Sequence, residues 1–330
     1  MKNVTENLKL RVSSTPHIRA KSSVEDIMLD VIIALMPAAF ASVLLFGQRS
    51  LAIILVSVIS CVGFEFLYQL LVHKKPTVND FSAVVTGMLF AFTLPSKVPY
   101  YVIIVGSFVA IIIAKQLFGG IGQNFMNPAL VGRAFVLASF PAVMTSYTSV
   151  KLNFFDKAGE VISGATPLSK EWVYAYPSIL ERLFGRFAEG DAVPGSIGET
   201  CGVALLMGFA YLLIRKVISA RIPLSYIGSV MVMTMIFKSS DFLGIYGPVM
   251  AVLSGGVLLG AIFMATDYVT TPTTPTGQII FGIGCGVITC VIRFWGGYPE
   301  GVTFAILLMN VLTPLIDRFT MPKPFGAVKE

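Results

Sequence analysis

Three groups of residues in this chain have types and spacing that could do chemistry. The first is a hydroxyl-bearing turn, Ser163-Gly164-Ala165-Thr166, ahead of Pro167. The proline forbids a helix through it, and Gly164 lets a modifying enzyme approach the backbone closely, so Thr166 offers the open hydroxyl that covalent modification needs. On spacing alone the run is equally a small-residue loop whose hydroxyls cap a helix. The second group is a trio of charges within or beside apolar runs: Glu65, Arg133 and Asp267. Charges there are costly and are functional candidates by default, although Glu65 lies close enough to a span end to snorkel to water. The third is a set of amides and hydroxyls near those charges. Asn124 and Asn127 precede Arg133, and Thr266 with the run Thr270-Thr271-Pro272-Thr273-Thr274-Pro275-Thr276 flanks Asp267. Such oxygens suit a hard cation such as sodium, while helix termination explains the prolines as well.

Other chemistries are absent from the composition. Two histidines, His17 and His73, and four cysteines, Cys61, Cys201, Cys285 and Cys290, lack the spacing of a zinc, haem or iron–sulfur site. No metal site and no catalytic triad is expected, so redox chemistry would have to come from an organic cofactor. A glycine-rich dinucleotide turn after a strand is also missing. The formal charge of +6 comes without a basic stripe interleaved with aromatics, which argues against nucleic acid as a partner.

The elements that position these residues are set by lipid. Of 330 residues 55% are hydrophobic and 13% charged, about half the charge of a soluble domain. Ten apolar segments are long enough to span or nearly span a bilayer: Ile27–Phe46, Leu51–Val72, Phe81–Leu94, Tyr100–Phe118, Pro128–Val143, Gly198–Ile214, Leu224–Phe237, Ile245–Ala265, Ile279–Trp295 and Val302–Ile316. The predicted fold is an all-α integral membrane protein. A cytoplasmic segment, 1–26, leads into a five-helix half, 27–143; a long extracytoplasmic connection, 144–197, leads to a second half, 198–316, and a cytoplasmic tail, 317–330. Lysine and arginine gather on the side of both termini, with Lys115 counted there and Arg293 opposite, which sets that orientation.

Five helices per half require any repeat to be inverted. Weak echoes support one: the glycine-rich run from Gly119 to Pro128 against Gly296 to Gly301, and Thr86–Pro95 against Gly256–Asp267. Short, glycine-bearing segments in matching positions point to a site at the midplane, although glycine also permits close helix packing. Asn124, Asn127, Thr266 and Asp267 are expected to line a polar route between the halves.

The turn at Thr166, set in a long loop after five spans, resembles the flavinylation motif of the subunit designated D in the Rnf ferredoxin:NAD oxidoreductase complex and of its relative, designated B, in the sodium-pumping NADH:quinone reductase. Phe118-Gly119-Gly120, Asn127-Pro128-Ala129, Phe263-Met264-Ala265-Thr266-Asp267 and Gly296-Gly297-Tyr298-Pro299-Glu300-Gly301 extend the resemblance over nearly the whole chain. The short lead before residue 27 fits the Rnf subunit better. One departure stands out: Glu160 occupies the position, six residues before Thr166, where the family commonly has Asp.

The resemblance implies FMN joined through a phosphoester to Thr166, with Ser163, Gly164 and Ala165 as the rest of the motif, a noncovalent riboflavin in the membrane part, and a flavin transferase for maturation. It implies a role in electron transfer within a multi-subunit complex of a bacterial or archaeal cytoplasmic membrane, coupling electron flow to export of sodium or protons. NAD and ferredoxin would bind partner subunits. Arg133 could then pair with a carboxylate or favour the reduced flavin anion, and Trp172, Tyr174 and Tyr176 could stack on the ring or anchor the loop. Two rivals share the architecture: a channel or transporter of the urea or ammonium type, and a passive scaffold, neither of which needs a flavin.

Overall fold

The computed structural model describes residues 23–73, 77–150, 161–163, 178–186, 192–237, 246–297 and 300–322. Each of the ten expected segments is helical. α1 (Val24–Phe46) and α2 (Gln48–Leu71) are joined by Gly47 alone, whose φ of +73° makes the reversal. α3 (Ser82–Phe92), α4 (Tyr100–Gln116), α5 (Pro128–Ser139) and the short α6 (Pro141–Met144) follow. The connection to the second half carries a two-stranded antiparallel pair, β1 (Thr148–Val150) with β2 (Val161–Ser163), and α7 (Ile179–Phe184). Then come α8 (Gly202–Ile214), α9 (Arg221–Phe237), α10 (Tyr246–Leu253), α11 (Val257–Met264), α12 (Pro275–Trp295) and α13 (Val302–Thr320).

Four helices, α1, α2, α12 and α13, are long and apolar enough to cross a membrane, and α10 with α11 forms a fifth candidate bent by 65°. α2 is inside-out by the standards of water. The stripe that α2 buries is Ser50, Ser57, Cys61, Glu65 and Gln69 beside Ile53 and Ile54, while Leu55, Ile59, Leu70 and Leu71 face outward. Small and polar residues let neighbours approach and hydrogen-bond, and the apolar face is left for lipid. Gly208 of α8 meets the backbone of Ala34 on α1 with no room for a side chain, which joins the two halves.

Several boundaries differ from expectation for local reasons. α12 starts at Pro275 rather than Ile279, because Thr274 caps it by accepting from the Gly277 N–H and proline suits a first helical turn. α13 continues through Pro314 to Thr320. α8 starts at Gly202, four residues later than expected, leaving Glu199 in the connecting segment.

α3 has 11 residues, about 17 Å of rise, against roughly 30 Å of hydrocarbon. It survives because protein surrounds it: ten of its residues are buried, Ser57 of α2 donates to the Gly87 carbonyl at 2.7 Å, and a Cβ on Gly87 would lie 2.8 Å from Val58 Cα. Its last carbonyls are met by backbone N–H groups of the connecting segment, Gly198 to Phe92 at 2.9 Å and Ile197 to Leu94 at 3.0 Å. The break between α10 and α11 is served differently. Gly255 and Gly256 turn at φ +66° and +70°, and the Arg293 guanidinium of α12 donates to the carbonyls of Ala251, Ser254 and Gly255 at 2.7–3.1 Å. In both places irregular backbone sits inside protein with its polar groups paired, as a membrane requires.

Candidate functional site

Asn124, Asn127, Thr266 and Asp267 line one pocket of about 100 Å³, together with Ser82, Thr86 and Lys115 and apolar walls from α1, α3, α8 and α11. The sequence separates these residues by up to 185 positions from Ser82 to Asp267, and the meeting of short helix ends brings them together. The pocket lies where α3 and α5 begin and α4 and α11 end.

Each member is held. Asn127 caps α5 by accepting from the Ala129 N–H at 3.1 Å, and its amide donates across the halves to the Met264 carbonyl at 3.1 Å. Asn310 of α13, with its amide turned to satisfy both atoms, accepts from the Asn127 N–H and donates to the Thr270 carbonyl. Asn127 thus ties α5, α11 and α13 together. Asn124 donates to the Met126 carbonyl, and Thr266 bonds back to Ile262. Asp267 accepts from the Val269 N–H and from Thr270 at 3.3–3.4 Å, closing the turn after α11. Burial pushes its carboxyl up, and hydrogen bonds from Val269, Thr270 and Asn124 pull it back.

Glu65 does not snorkel. It is 1% exposed and accepts from Lys115 Nζ at 2.7 Å; Gln116 and Gln69 complete its shell. Lys115, 3% exposed, also donates to Ser82 at the start of α3, at 2.6 Å. It is therefore not a flanking surface charge, and it joins the Glu65 pair to the pocket wall. The residue signal was present: a lysine ending an apolar run, fifty positions from the acid it neutralises.

Arg133 belongs elsewhere. Six residues beyond Asn127 on α5, about 9 Å of rise, it pairs with Glu300, which also accepts from Tyr147 O–H at 2.7 Å. Glu199 lies against this cluster and accepts from the Ser196 N–H at 2.9 Å. Arg182 of α7 and Arg293 face the same acid. Arg293 was expected as a charge on the outer side; it is instead held inside by the carbonyls of the helix break, and Arg182 of α7 is also buried. Glu199, Tyr147, Arg182 and Arg293 were not among the expected site residues, since no spacing rule links four separate segments.

Of the hydroxyl turn, Ser163 ends β2 and pairs with Thr148, the residue after Tyr147. Gly164, Ala165, Thr166 and the aromatics Trp172, Tyr174 and Tyr176 lie outside the described residues. Among the described residues no group of histidine, cysteine or acidic side chains is arranged to hold a metal.

These features define a class: a helical membrane protein whose broken and short helices meet at a buried polar centre. The chain belongs to the NQR2, RnfD, RnfE family, whose model matches residues 11–326. It is 47% identical to the subunit designated D in the sodium-translocating ferredoxin:NAD oxidoreductase complex of Acetobacterium woodii, over 98% of this chain and 97% of that one. It is 42% identical to the counterpart in the proton-translocating complex of Clostridium ljungdahlii, over 96% of each. The corresponding subunit of the ion-translocating oxidoreductase complex of Stutzerimonas stutzeri is 38% identical over 93% of each.

Proposed function

We propose that this chain is a membrane subunit of a multi-subunit ion-translocating ferredoxin:NAD oxidoreductase and acts as its electron carrier, with FMN esterified to Thr166. The carrying observation is the near full-length similarity to complex subunits from several organisms, joined to the Ser163-Gly164-Ala165-Thr166 turn. When attached, FMN supplies the electron-carrying chemistry that the side chains lack. The chain's own part is to hold it: a tethered flavin stays at high local concentration beside its docking surface instead of diffusing away. β2, ending at Ser163 and fixed by β1, gives the motif a defined starting point. Partner subunits would hold ferredoxin and NAD, and a flavin transferase would make the ester on the outer side, with both termini cytoplasmic and the ten helices forming two inverted halves.

The pocket of Asn124, Asn127, Thr266 and Asp267 is proposed as part of the ion path. Its volume suits water and a small cation and is below the roughly 300–1,000 Å³ of sites for ring-sized ligands. The riboflavin implied by the resemblance does not fit the pocket as formed and is proposed to lie where a partner subunit completes a larger cavity. The ion is left as sodium or proton, because the relatives' names include both.

The test is Thr166→Ala in the assembled complex. Loss of ferredoxin-driven NAD reduction with helicity and assembly intact is expected; full activity would return the chain to the channel or scaffold class.

A further inference from the structure

The cluster around Glu199 has chemistry that neither the pocket nor a flavin ester uses. Several of its side-chain atoms are buried without a partner among the described residues, Nε of Arg133 and Arg293 included. Arg182 is 5% exposed, and its Nε and Nη2 have no acceptor; Glu199 Oε2 has no donor. Each feels the other's charge, yet among the described residues no direct ion pair joins them. Buried groups of this kind need a partner, and an unpartnered carboxylate oxygen can gain one by taking up a proton.

The surroundings decide what else the space can take. Three guanidinium groups interact electrostatically with Glu199, those of Arg133 of α5, Arg182 of α7 and Arg293 of α12; Glu300 and Tyr147 complete the charged and titratable neighbours. That field opposes a metal cation. The carboxylate lies against backbone on both oxygens: a Cβ on Gly195 would lie 2.9 Å from Glu199 Oε1, and one on Gly256 would lie 3.0 Å from Oε2. Glu300 already has Arg133 on one oxygen and Tyr147 on the other, so of the two acids Glu199 is the one free to take a proton.

We propose that Glu199, whose buried Oε2 has no partner among the described residues and which is set beside Glu300, is a proton-binding site on the side of the molecule that carries Tyr147 and Arg182. Uptake adds a proton from water to Glu199 Oε2, and release returns it to water. Burial and the Glu300 charge raise the Glu199 carboxyl to about 7, so the exchange falls near neutral pH. Oε2, where the proton would sit, abuts Gly256 at the bend between α10 and α11. The site stands whether or not Thr166 carries a flavin.

Infrared titration of the full-length chain in lipid nanodiscs tests this. A carboxylic-acid band with a midpoint near 7 is expected, absent in Glu199→Gln. Removing a like charge with Glu300→Gln should lower the proton affinity by about tenfold or more, and removing an opposite charge with Arg182→Gln should raise it. The same band in Glu199→Gln would overturn the proposal. Should that variant not assemble, the neighbours decide: opposite shifts support the site, and an unmoved midpoint overturns it.

Discussion

At the scale of single residues, the charges in this chain are defined by their partners. Glu65 and Lys115 neutralise each other in the interior. Removing one partner of such a pair leaves an uncompensated buried charge, which costs about 3–5 kcal/mol, whereas replacing both costs far less. Lys115→Met should therefore lower the unfolding temperature in detergent sharply, and Glu65→Gln with Lys115→Met should recover much of it; a double variant as unstable as the single one would contradict the pairing. Glu199 makes a second residue-scale prediction. Its carboxyl is raised from 4.5 to about 7, so between those values the folded chain holds a proton that the unfolded chain releases. The stabilisation from that proton is fully present below about 4.5 and lost as pH rises through about 7. The stability difference between the parent chain and Glu199→Gln should fall across that window and flatten above it. A difference independent of pH would remove Glu199 from the titration. A third prediction concerns the pocket: Asp267→Asn should impair ion transport by the reconstituted complex while leaving covalent flavin in place, and unchanged transport would take Asp267 out of the path.

At the scale of elements, short and broken helices persist because their free backbone groups are paired within the protein. α3 ends on N–H groups of residues 197 and 198, and the α10–α11 bend ends on Arg293. Arg293→Met should strand three carbonyls and destabilise the chain by several kcal/mol, since each unpaired buried group costs about 1–3 kcal/mol; faster amide exchange of Gly255 and Gly256 would locate the loss, and unchanged exchange would contradict it. The approximate positions of these elements were legible in the sequence as apolar runs, and Pro128 marked the start of α5, whereas the Thr274-Pro275 start of α12 was read four residues late. Their service by distant groups was not legible. Nothing in the neighbourhood of Arg293 indicates that it reaches across to residues 251–255, and Lys115 looked like a flanking charge because its acid lies fifty positions away.

At the scale of the molecule, two polar centres meet α5: the pocket at its start, by Asn127, and the cluster of Arg133, Glu300 and Glu199 at its middle. Asn124, Asn127, Thr266 and Asp267 do line one pocket, and their meeting was expected from the cost of leaving polar residues near apolar spans without partners. The second centre was not legible as a whole, since its members come from five connections and helices that only the fold unites. The two centres give the halves a polar interior, and the connection between residues 145 and 201 bears the hydroxyl turn on which the electron-carrying role depends. The most direct measurement is the ultraviolet fluorescence of the denatured chain after expression with a flavin transferase, followed by peptide mass analysis. A fluorescent band with the mass of an FMN ester on Thr166 is expected. A dark band in the presence of active transferase, or flavin attached at another residue, would contradict a tethered carrier at this site.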